Sequence, residues 1–343
     1  MTKDRLEEWA QGVLERMPVL APVETSAGPD WGPVQHFGHM IREFVNTVTP
    51  LKSLFFPQTE CMMRFLNEPR SPEGMVMRPV PFDSERLVIL NVRPCEARSL
   101  VLLDAIFLQD PACPDVYWQA KRQNSILVGL ACNEPCPSSF CMAMQCGPHH
   151  EEGFDLLFVD VGEGYVVRVL SEAGETLVKG LPSPKRGDSV RAGRRRRQAE
   201  AAAAVAVYTD HIAEAEVLDL FHRKFWEEAA FTCLNCGACT FFCPTCHCFD
   251  IQDEVSGASG QRVRNWDTCM SRLFTQHASG HNPRATKTDR FRQRFMHKFK
   301  YIPMRRNGMM GCVGCGRCTR LCPVNIDVRE IVARMNEAEG VRE

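Results

Sequence analysis

Residues 233–248 read CLNCGACTFFCPTCHC, and six of these sixteen positions are cysteine. Four of them follow the spacing C-x-x-C-x-x-C-x-x-x-C, and a proline comes directly after the fourth. This spacing is typical of bacterial ferredoxin runs, in which thiolates hold iron–sulfur clusters. Four thiolates are enough for one cluster, so the two further cysteines in the stretch need their own explanation.

The same run recurs at Cys312 to Cys322, again followed by a proline. In proteins with two such runs, the fourth cysteine of each run binds the cluster of the other. We therefore predict two 4Fe–4S clusters. Cluster I is expected on Cys233, Cys236, Cys239 and Cys322, and cluster II on Cys312, Cys315, Cys318 and Cys243. Glycines at 237, 314 and 316 would let backbone amides approach the cluster sulfides.

Zinc is the main alternative for such cysteines. Zinc sites normally use C-x-x-C pairs separated by about a dozen residues or more, which supply four tetrahedral ligands. Two tight four-cysteine runs that each end in Cys-Pro fit that arrangement poorly, so the spacing favours iron–sulfur clusters.

Composition and charge limit the class of protein. The chain has 343 residues, enough for about two domains, and its apolar share of 44% is that of an ordinary globular protein. A formal net charge of −1 argues against a nucleic-acid partner. The N-terminus lacks a signal-peptide pattern, and the apolar run at 201–207 is too short to span a membrane. We expect a cytoplasmic protein, in which eighteen cysteines, most of them clustered, point to metal or redox chemistry.

The hydrophobic patterns predict an α/β domain over 1–185. It would contain an amphipathic N-terminal helix, a second helix in 34–48, strands at 86–92 and 125–131, a helix after Pro94 and a hairpin over 155–170. Residues 186–230 are expected to be a linker and a long Ala-rich helix, with the polar link spanning 181–198 and the helix 199–230. Residues 231–343 are predicted to form an α+β ferredoxin-like domain with a long insertion between its two cysteine runs.

A second group of cysteines lies in the N-terminal half. Cys132 to Cys146 stand in CNEPCPSSFCMAMQCGP, directly after a predicted strand, and Cys95 lies between a strand and a helix. Open α/β sheets bind ligands at the carboxyl ends of strands, and a cluster needs four thiolates. We predict a third 4Fe–4S cluster here. The alternative is a set of buried thiols without metal.

The insertion supplies three more cysteines and several histidines. Cys246 and Cys248 follow the first run, Cys269 lies in WDTCM, and the histidines are at 247, 277 and 281. Three thiolates and an imidazole are a candidate additional metal site. The alternative is that these cysteines only pack around the predicted clusters as small apolar side chains.

Several motifs together carry a family resemblance. RPCEARSLVLLD, VGLACNEPCPSSFC, CLNCGACTFFCPTCHCFDIQDE, WDTCM, ASGHNPR, HKFKYIP and GCVGCGRCTRLCPVNID resemble, in this order, the 4Fe–4S dicluster electron-transfer subunit family. The resemblance covers about 85–330. Its members include the β subunit of cytoplasmic sulfhydrogenases and the corresponding iron–sulfur subunit of anaerobic sulfite reductases.

The resemblance implies a non-catalytic electron relay that holds no flavin itself. Its partners would be a flavin subunit that reacts with NAD(P)H and a catalytic subunit of the hydrogenase, sulfite reductase or heterodisulfide-reductase type. Family members carry cysteines matching Cys95, Cys132 and Cys141, and often one more where this chain has Ser139. Cys136 would compensate, which gives Cys95, Cys132, Cys136 and Cys141 as ligands of cluster III, with Cys146 in reserve.

Two other classes of protein fit the sequence less well. A self-contained oxidoreductase would need its own substrate site, but the chain has no dinucleotide, Walker or nucleophile motif, and we assign no catalytic residue. His149 and His150 are candidate acid–base groups, although a surface loop is the simpler interpretation. A zinc scaffold or nucleic-acid binder would rely on Arg194 to Arg197, which we interpret as a solvated start to a helix.

Overall fold

The computed structural model describes residues 1–67, 74–81, 85–181 and 186–337. Its strands are β1 (Val19–Thr25), β2 (Gly28–Pro33), β3 (Thr59–Asn67), β4 (Met75–Pro79), β5 (Leu87–Val92), β6 (Ser125–Leu130), β7 (Leu156–Asp160), β8 (Tyr165–Val169), β9 (Phe249–Ser256) and β10 (Ser259–Trp266). Its α-helices are α1 (Lys3–Leu14), α2 (Lys52–Phe55), α3 (Pro94–Phe107), α4 (Val116–Gln123), α5 (Glu172–Leu177), α6 (Arg186–Ala202), α7 (Asp210–Glu214), α8 (Val217–Phe221), α9 (Phe225–Ala229), α10 (Ala238–Phe241), α11 (Lys287–Met296), α12 (Ile302–Arg305), α13 (Arg317–Arg320) and α14 (Val328–Asn336).

A six-stranded sheet forms the core of the N-terminal half, in the order β2-β1-β5-β6-β7-β8. β1, β5, β6 and β7 run parallel, and the two edge strands are antiparallel. β5 and β6 read as nearly continuous apolar runs because packed side chains cover both faces of the sheet. The strands predicted at 86–92 and 125–131 and the hairpin are confirmed, and Gly162 turns the hairpin with φ +97°.

The helix predicted in 34–48 is wrong. Only Phe37–His39 forms a single 3₁₀ turn there. Polar side chains satisfy the backbone in another way: the Thr49 amide donates to Asp30 at 3.3 Å, and the Thr47 hydroxyl donates to the Thr49 carbonyl at 2.7 Å. Such local bonds compete with helix formation, and the apolar spacing alone did not reveal them.

The linker and the long helix were also predicted wrongly. The arginine-rich stretch belongs to α6, with the Arg196 guanidinium 2.8 Å from the carboxylate of Glu200 one turn later. Arginine and alanine are both good helix formers, which explains a helix where a polar link was expected. Beyond Ala202 the chain forms only the short helices α7, α8 and α9. Ala203, Val207, Ile212 and Leu220 are buried there, so tertiary packing decides the path of this segment.

A four-stranded antiparallel sheet joins the two halves of the chain, in the order β4-β3-β10-β9. β3 and β4 come from the N-terminal half, whereas β9 and β10 form a hairpin in the insertion between the cysteine runs. Val263 in β10 is fully buried. The sheet therefore crosses the division expected at residue 185, and the strands of the C-terminal half lie in the insertion.

The two cysteine runs are built around short helices. α10 carries Cys239 and α13 carries Cys318, and each follows a glycine with positive φ, Gly237 at +78° and Gly316 at +73°. α11 continues through a π-helical turn, His297–Tyr301, into α12 and packs beside both runs. In the described ranges, no helix is long and apolar enough to cross a membrane.

Candidate iron–sulfur site

The two cysteine runs fold in the same way, although their sequences differ. The second residue after each first cysteine has positive φ, Asn235 at +55° and Gly314 at +65°. In this conformation the Asn235 amide points at the Cys233 sulfur, 3.4 Å away, and the Gly314 amide at the Cys312 sulfur, 3.3 Å away. Backbone N–H groups aimed at thiolate sulfur stabilise the charged form of the thiolate, which is the form that binds a metal.

Pocket A brings together the four cysteines predicted for cluster I. Its wall is otherwise mostly apolar, with Met270, Phe291 and Phe295 among its side chains. The Ile326 amide donates to the Cys322 sulfur at 3.3 Å, the counterpart of the amide–sulfur bonds in the runs. The cysteines that line pocket A are Cys233, Cys236, Cys239, Cys322 and Cys318.

Pocket B brings together the four cysteines predicted for cluster II. Phe140 closes it from the N-terminal half, and Arg294 and Lys298 enter its wall from the helical layer above. Cys243 and Cys315 are both buried. The cysteines that line pocket B are Cys243, Cys312, Cys315 and Cys318.

Pocket C lies where β5 and β6 end, as predicted for ligands of a parallel sheet. Ser139, the residue at the position where the family often has cysteine, also lines it. Asn46 lies between two of the thiols, with its side chain 3.7 Å from the sulfur of Cys95 and 3.6 Å from that of Cys136. The cysteines that line pocket C are Cys95, Cys132, Cys136, Cys141, Cys146 and Cys315.

The three pockets share walls. Cys318 lines both A and B, and Cys315 lines both B and C. Between B and C the loop 138–141 lies directly on the second run, where the Phe140 amide donates to the Gly314 carbonyl at 2.9 Å. A side chain at Gly314 would come within 2.6 Å of the Cys141 amide nitrogen. The pockets therefore form a row in the order A, B, C, in which neighbouring pockets share a wall and no further layer of side chains separates them.

Two buried cations stand beside pocket B. Arg294 donates to the Cys239 carbonyl at 3.0 Å, and Lys298 donates to the Thr245 hydroxyl at 2.8 Å and to the Gly311 carbonyl at 3.1 Å. Within the described ranges their hydrogen-bond partners are carbonyls and a hydroxyl rather than carboxylates, and Arg294 Nε has no hydrogen-bond partner. A buried charge without a counter-ion is costly, so negative charge in the pocket would compensate it. The donor set and the cations together fit an anionic cluster held by thiolates.

A buried ion pair lies between pockets B and C. Arg317 and Glu96 are almost inaccessible to solvent and contact each other, and Arg317 also donates to the carbonyl and the hydroxyl of Thr47 at 3.1 and 3.0 Å. The second oxygen of Glu96 accepts from the Leu51 amide at 2.8 Å. Burial acts against the charged form of Arg317, but Glu96 and the neighbouring thiols outweigh it and raise the pKa of the guanidinium. The pair connects the second cysteine run to α3, the helix that carries Cys95.

Burial raises the pKa of most pocket cysteines. It brings the pKa of Cys132, Cys141 and Cys239 to about 11 and that of Cys312 and Cys315 to about 12. Metal binding requires thiolates, so binding of a cluster here releases protons. Burial alone would lower the pKa of Lys298. The negative charge of the nearby Cys243, Cys246 and Cys312 outweighs burial and raises this pKa well above its usual value.

The three insertion cysteines belong to two thiol pairs, Cys243 with Cys246 and Cys248 with Cys269. Hydrogen bonding from Cys246 lowers the pKa of the Cys243 thiol, and hydrogen bonding from Cys269 lowers that of Cys248. No group of three or more His, Cys, Asp or Glu side chains in the described part of the chain is arranged to hold a single metal ion. The His247 ring contacts His297 edge-on, with ring centres 5.7 Å apart, and His277 contacts His281 in the same way at 5.4 Å. The additional metal site on Cys246, Cys248 and Cys269 stays a prediction.

The position of His149 beside Gly147 and Pro148 suggested a side chain on a surface loop, and this expectation is wrong. Its side chain is buried, and its Nε2 has no hydrogen-bond partner in the described ranges. Burial lowers the pKa of His149 to about 4, so the imidazole is neutral at pH 7. His150 is half-buried and pairs with Glu152 at 3.3 Å.

Sequence reasoning missed the charged residues around the pockets. The sequence shows Arg317 as an arginine inside a cysteine run. Its burial and its ion pair with Glu96 could not be predicted, because Glu96 lies more than 200 positions away in the sequence. Lys52 was not readable, because its short helix α2 gives no pattern. Its Nζ donates to the Cys246 carbonyl at 2.7 Å and lies 4.2 Å from the centre of the Trp266 ring.

Residues 232–326 match the family model of the 4Fe-4S dicluster domain. The chain is also 29% identical over 326 residues to sulfhydrogenase 2 subunit beta of Pyrococcus furiosus, which covers 93% of this chain and 92% of that protein. No solved structure matches the chain. The resemblance to the 4Fe–4S dicluster electron-transfer subunits, stated above from the motifs, is therefore confirmed.

Proposed function

We propose that the chain is the iron–sulfur electron-transfer subunit of a cytoplasmic multi-subunit oxidoreductase. It would relay electrons between a flavin subunit that reacts with NAD(P)H and a catalytic partner of the hydrogenase, sulfite reductase or heterodisulfide-reductase type. The observation that carries the proposal is the row of three cysteine pockets with shared walls. Similarity to a sulfhydrogenase beta subunit over nearly the whole chain supports a hydrogenase-like complex.

The proposed ligands follow the pockets. Cluster I would be held by Cys233, Cys236, Cys239 and Cys322 in pocket A. Cluster II would be held by Cys312, Cys315, Cys318 and Cys243 in pocket B. A third cluster would lie in pocket C on Cys95, Cys132, Cys136 and Cys141, with Cys146 in reserve. Bound clusters of this kind exchange single electrons.

The protein's own residues would set the conditions for that exchange. Backbone amides at 235, 314 and 326 donate to ligand sulfurs, and hydrogen bonds to the sulfurs are one of the factors that set the reduction potential. Arg294 and Lys298 supply buried positive charge near A and B, and Arg317 supplies it between B and C. Apolar side chains form most of the remaining wall of pocket A, in which Cys236 is exposed to solvent.

Iron and acid-labile sulfide per chain, measured on anaerobically purified protein, test the proposal. Three 4Fe–4S clusters give about twelve irons, and two give about eight. About twelve, with EPR signals from interacting reduced clusters, supports the row of three. About eight would restrict the relay to pockets A and B, and a colourless chain without iron would contradict the proposed function.

A pair of variants tests the ligand set of pocket C. Both Cys136 and Cys146 line the pocket, but Cys146 is almost fully buried whereas Cys136 is partly accessible. We expect Cys136→Ser to lose about four irons and Cys146→Ser to keep them, since one cluster contains four. The reverse result would exchange the two residues in the proposed ligand set.

A further inference from the structure

Cys248 and Cys269 form a thiol pair that the proposed clusters do not use. Hydrogen bonding from the side chain and backbone of Cys269 lowers the pKa of the Cys248 thiol to about 7. Cys269 is buried, and Cys248 is partly accessible. Neither cysteine lines pocket A, B or C.

The backbone holds the two cysteines together at the base of the β9–β10 hairpin. Phe249 in β9 is paired with Trp266 in β10, and the Asp267 amide donates to the Cys248 carbonyl at 3.0 Å. Cys248 directly precedes this last pair on one side of the hairpin, and Cys269 follows it by three residues on the other. Closing a bond between their sulfurs would therefore join segments that the sheet already holds side by side.

The thiol pair stands directly behind pocket A. Met270, the residue after Cys269, lines that pocket. Thr268, the residue before it, shares a hydrogen bond of 2.7 Å with Thr240 in α10, the helix that carries Cys239. Cys248 and Cys269 pack in the same apolar cluster as Cys239. An electron leaving the pair would thus reach the proposed cluster I across one residue.

We infer that Cys248 and Cys269 are a redox-active dithiol that exchanges two electrons with the proposed iron–sulfur relay. Two S–H bonds break and one S–S bond forms, two protons pass to water, and two electrons leave singly to two oxidised clusters. The reverse steps restore the dithiol. The inference rests on the proposed function, because the clusters are its oxidant and reductant. A dithiol beside one-electron carriers would convert between single-electron and two-electron transfer.

Thiol trapping at controlled potential tests the inference on the full chain. Anaerobic protein with its native iron is equilibrated with mixtures of reduced and oxidised dithiothreitol, denatured in excess iodoacetamide, and digested with trypsin. Cleavage after Arg264 and Arg272 releases Cys269 in the peptide NWDTCMSR, separate from all other cysteines. We expect this peptide to become disulfide-linked to Cys248 as the potential rises, with the slope of a two-electron couple, while the iron content stays constant.

Variants separate a dithiol from a metal ligand. Cys269→Ser should keep the full iron content and leave Cys248 open to alkylation at every potential. Cys113→Ser, which changes an exposed and distant cysteine, is the matched control and should behave as the wild type. Loss of iron from Cys269→Ser would mean that these thiols bind metal and would overturn the inference.

Two further outcomes distinguish the dithiol inference from the proposed electron relay. Full iron content with Cys269 alkylated at all potentials would overturn the dithiol and leave the electron relay standing. A wild-type chain without iron would contradict the relay and the dithiol together.

Discussion

Arg317 is a buried charged residue at the contact between pockets B and C. It is fully buried, ion-paired with Glu96, and hydrogen-bonded to Thr47 from the N-terminal half. Removing one partner of a buried ion pair leaves the other charge uncompensated and costs about 3–5 kcal/mol. We expect Arg317→Gln to release iron at a clearly lower temperature than the wild type.

The same substitution should change the electronic properties of the pockets. A positive charge beside a cluster stabilises its reduced, more negative form, so its removal should lower the reduction potential seen in an EPR-monitored titration. Arg5→Gln, which changes an exposed arginine on α1, is the control and should shift neither quantity. An unchanged potential in Arg317→Gln would show that the ion pair is structural only.

His149 should make the protein sensitive to acid. Burial lowers its pKa to about 4, whereas the unfolded chain has the ordinary value of about 6.5. Between these values the unfolded state binds more protons than the folded state, so stability is full above pH 6.5 and falls as the pH drops towards 4. The loss at pH 5 should be about 1–2 kcal/mol.

Denaturant unfolding at pH 7 and pH 5 tests this linkage. His149→Gln should lose less stability on acidification than the wild type, whatever its effect at pH 7. His150→Gln removes a half-buried imidazole from the same segment and is the control. Equal pH dependence in wild type and His149→Gln would contradict the assignment of a buried neutral histidine.

The loop 138–141 packs against the second cysteine run at Gly314, and this close contact requires glycine. Gly314 has φ +65°, and an added Cβ would lie 2.6 Å from backbone atoms of Phe140 and Cys141. Gly257, at the tip of the β9–β10 hairpin, has φ +61° and open space around it. Alanine substitutions at these two glycines therefore distinguish the cost of backbone strain from the cost of steric conflict.

We expect Gly257→Ala to cost about 1–2 kcal/mol, the strain of the left-handed conformation alone. Gly314→Ala adds overpacking, worth roughly another 1–3 kcal/mol, at a contact between two pockets. The measurement is iron per chain and its loss on mild heating, with Gly257→Ala close to the wild type. Similar iron retention in both variants would contradict the close loop contact.

The sequence revealed much of this part of the fold. The strands before Cys95 and Cys132 and both cysteine runs were readable because strand patterning and ligand spacing are local. The spacing of the two runs places Asn235 where the second run has Gly314, but only the structure shows that this asparagine shares the positive φ of the glycine. The charged residues around the pockets were missed because their partners are distant in sequence. The Ala-rich segment was misjudged because packing, and not propensity, decides its path.

Across the full chain, the mixed sheet makes the two halves interdependent. β10 contacts β3 along seven residue pairs, and Lys52 from the N-terminal half reaches the Cys246 carbonyl. A fragment of residues 231–343 would lack β3, the loop 138–141 and Lys52, and would expose Val263 to water. We expect it to hold fewer than eight irons, or none, when produced alone.

Co-production of residues 1–185 and 186–343 as separate chains is the informative control. If the shared sheet and the loop contact hold the halves together, the two chains should co-purify and recover the iron content of the intact protein. A fragment 231–343 that folds alone with eight irons would show that the C-terminal half is an autonomous domain, as the sequence first suggested.

The contact of loop 138–141 with the second cysteine run also has a consequence for biogenesis. Pocket B lies behind this loop, and its walls are closed by Phe140 on one side and by the helical layer of Arg294 and Lys298 on the other. Cys243 and Cys315, two proposed ligands of the middle cluster, are both buried behind this packing. We therefore expect delivery of that cluster to precede docking of the N-terminal half, so that maturation is an ordered process with the middle cofactor sealed in before the last folding step.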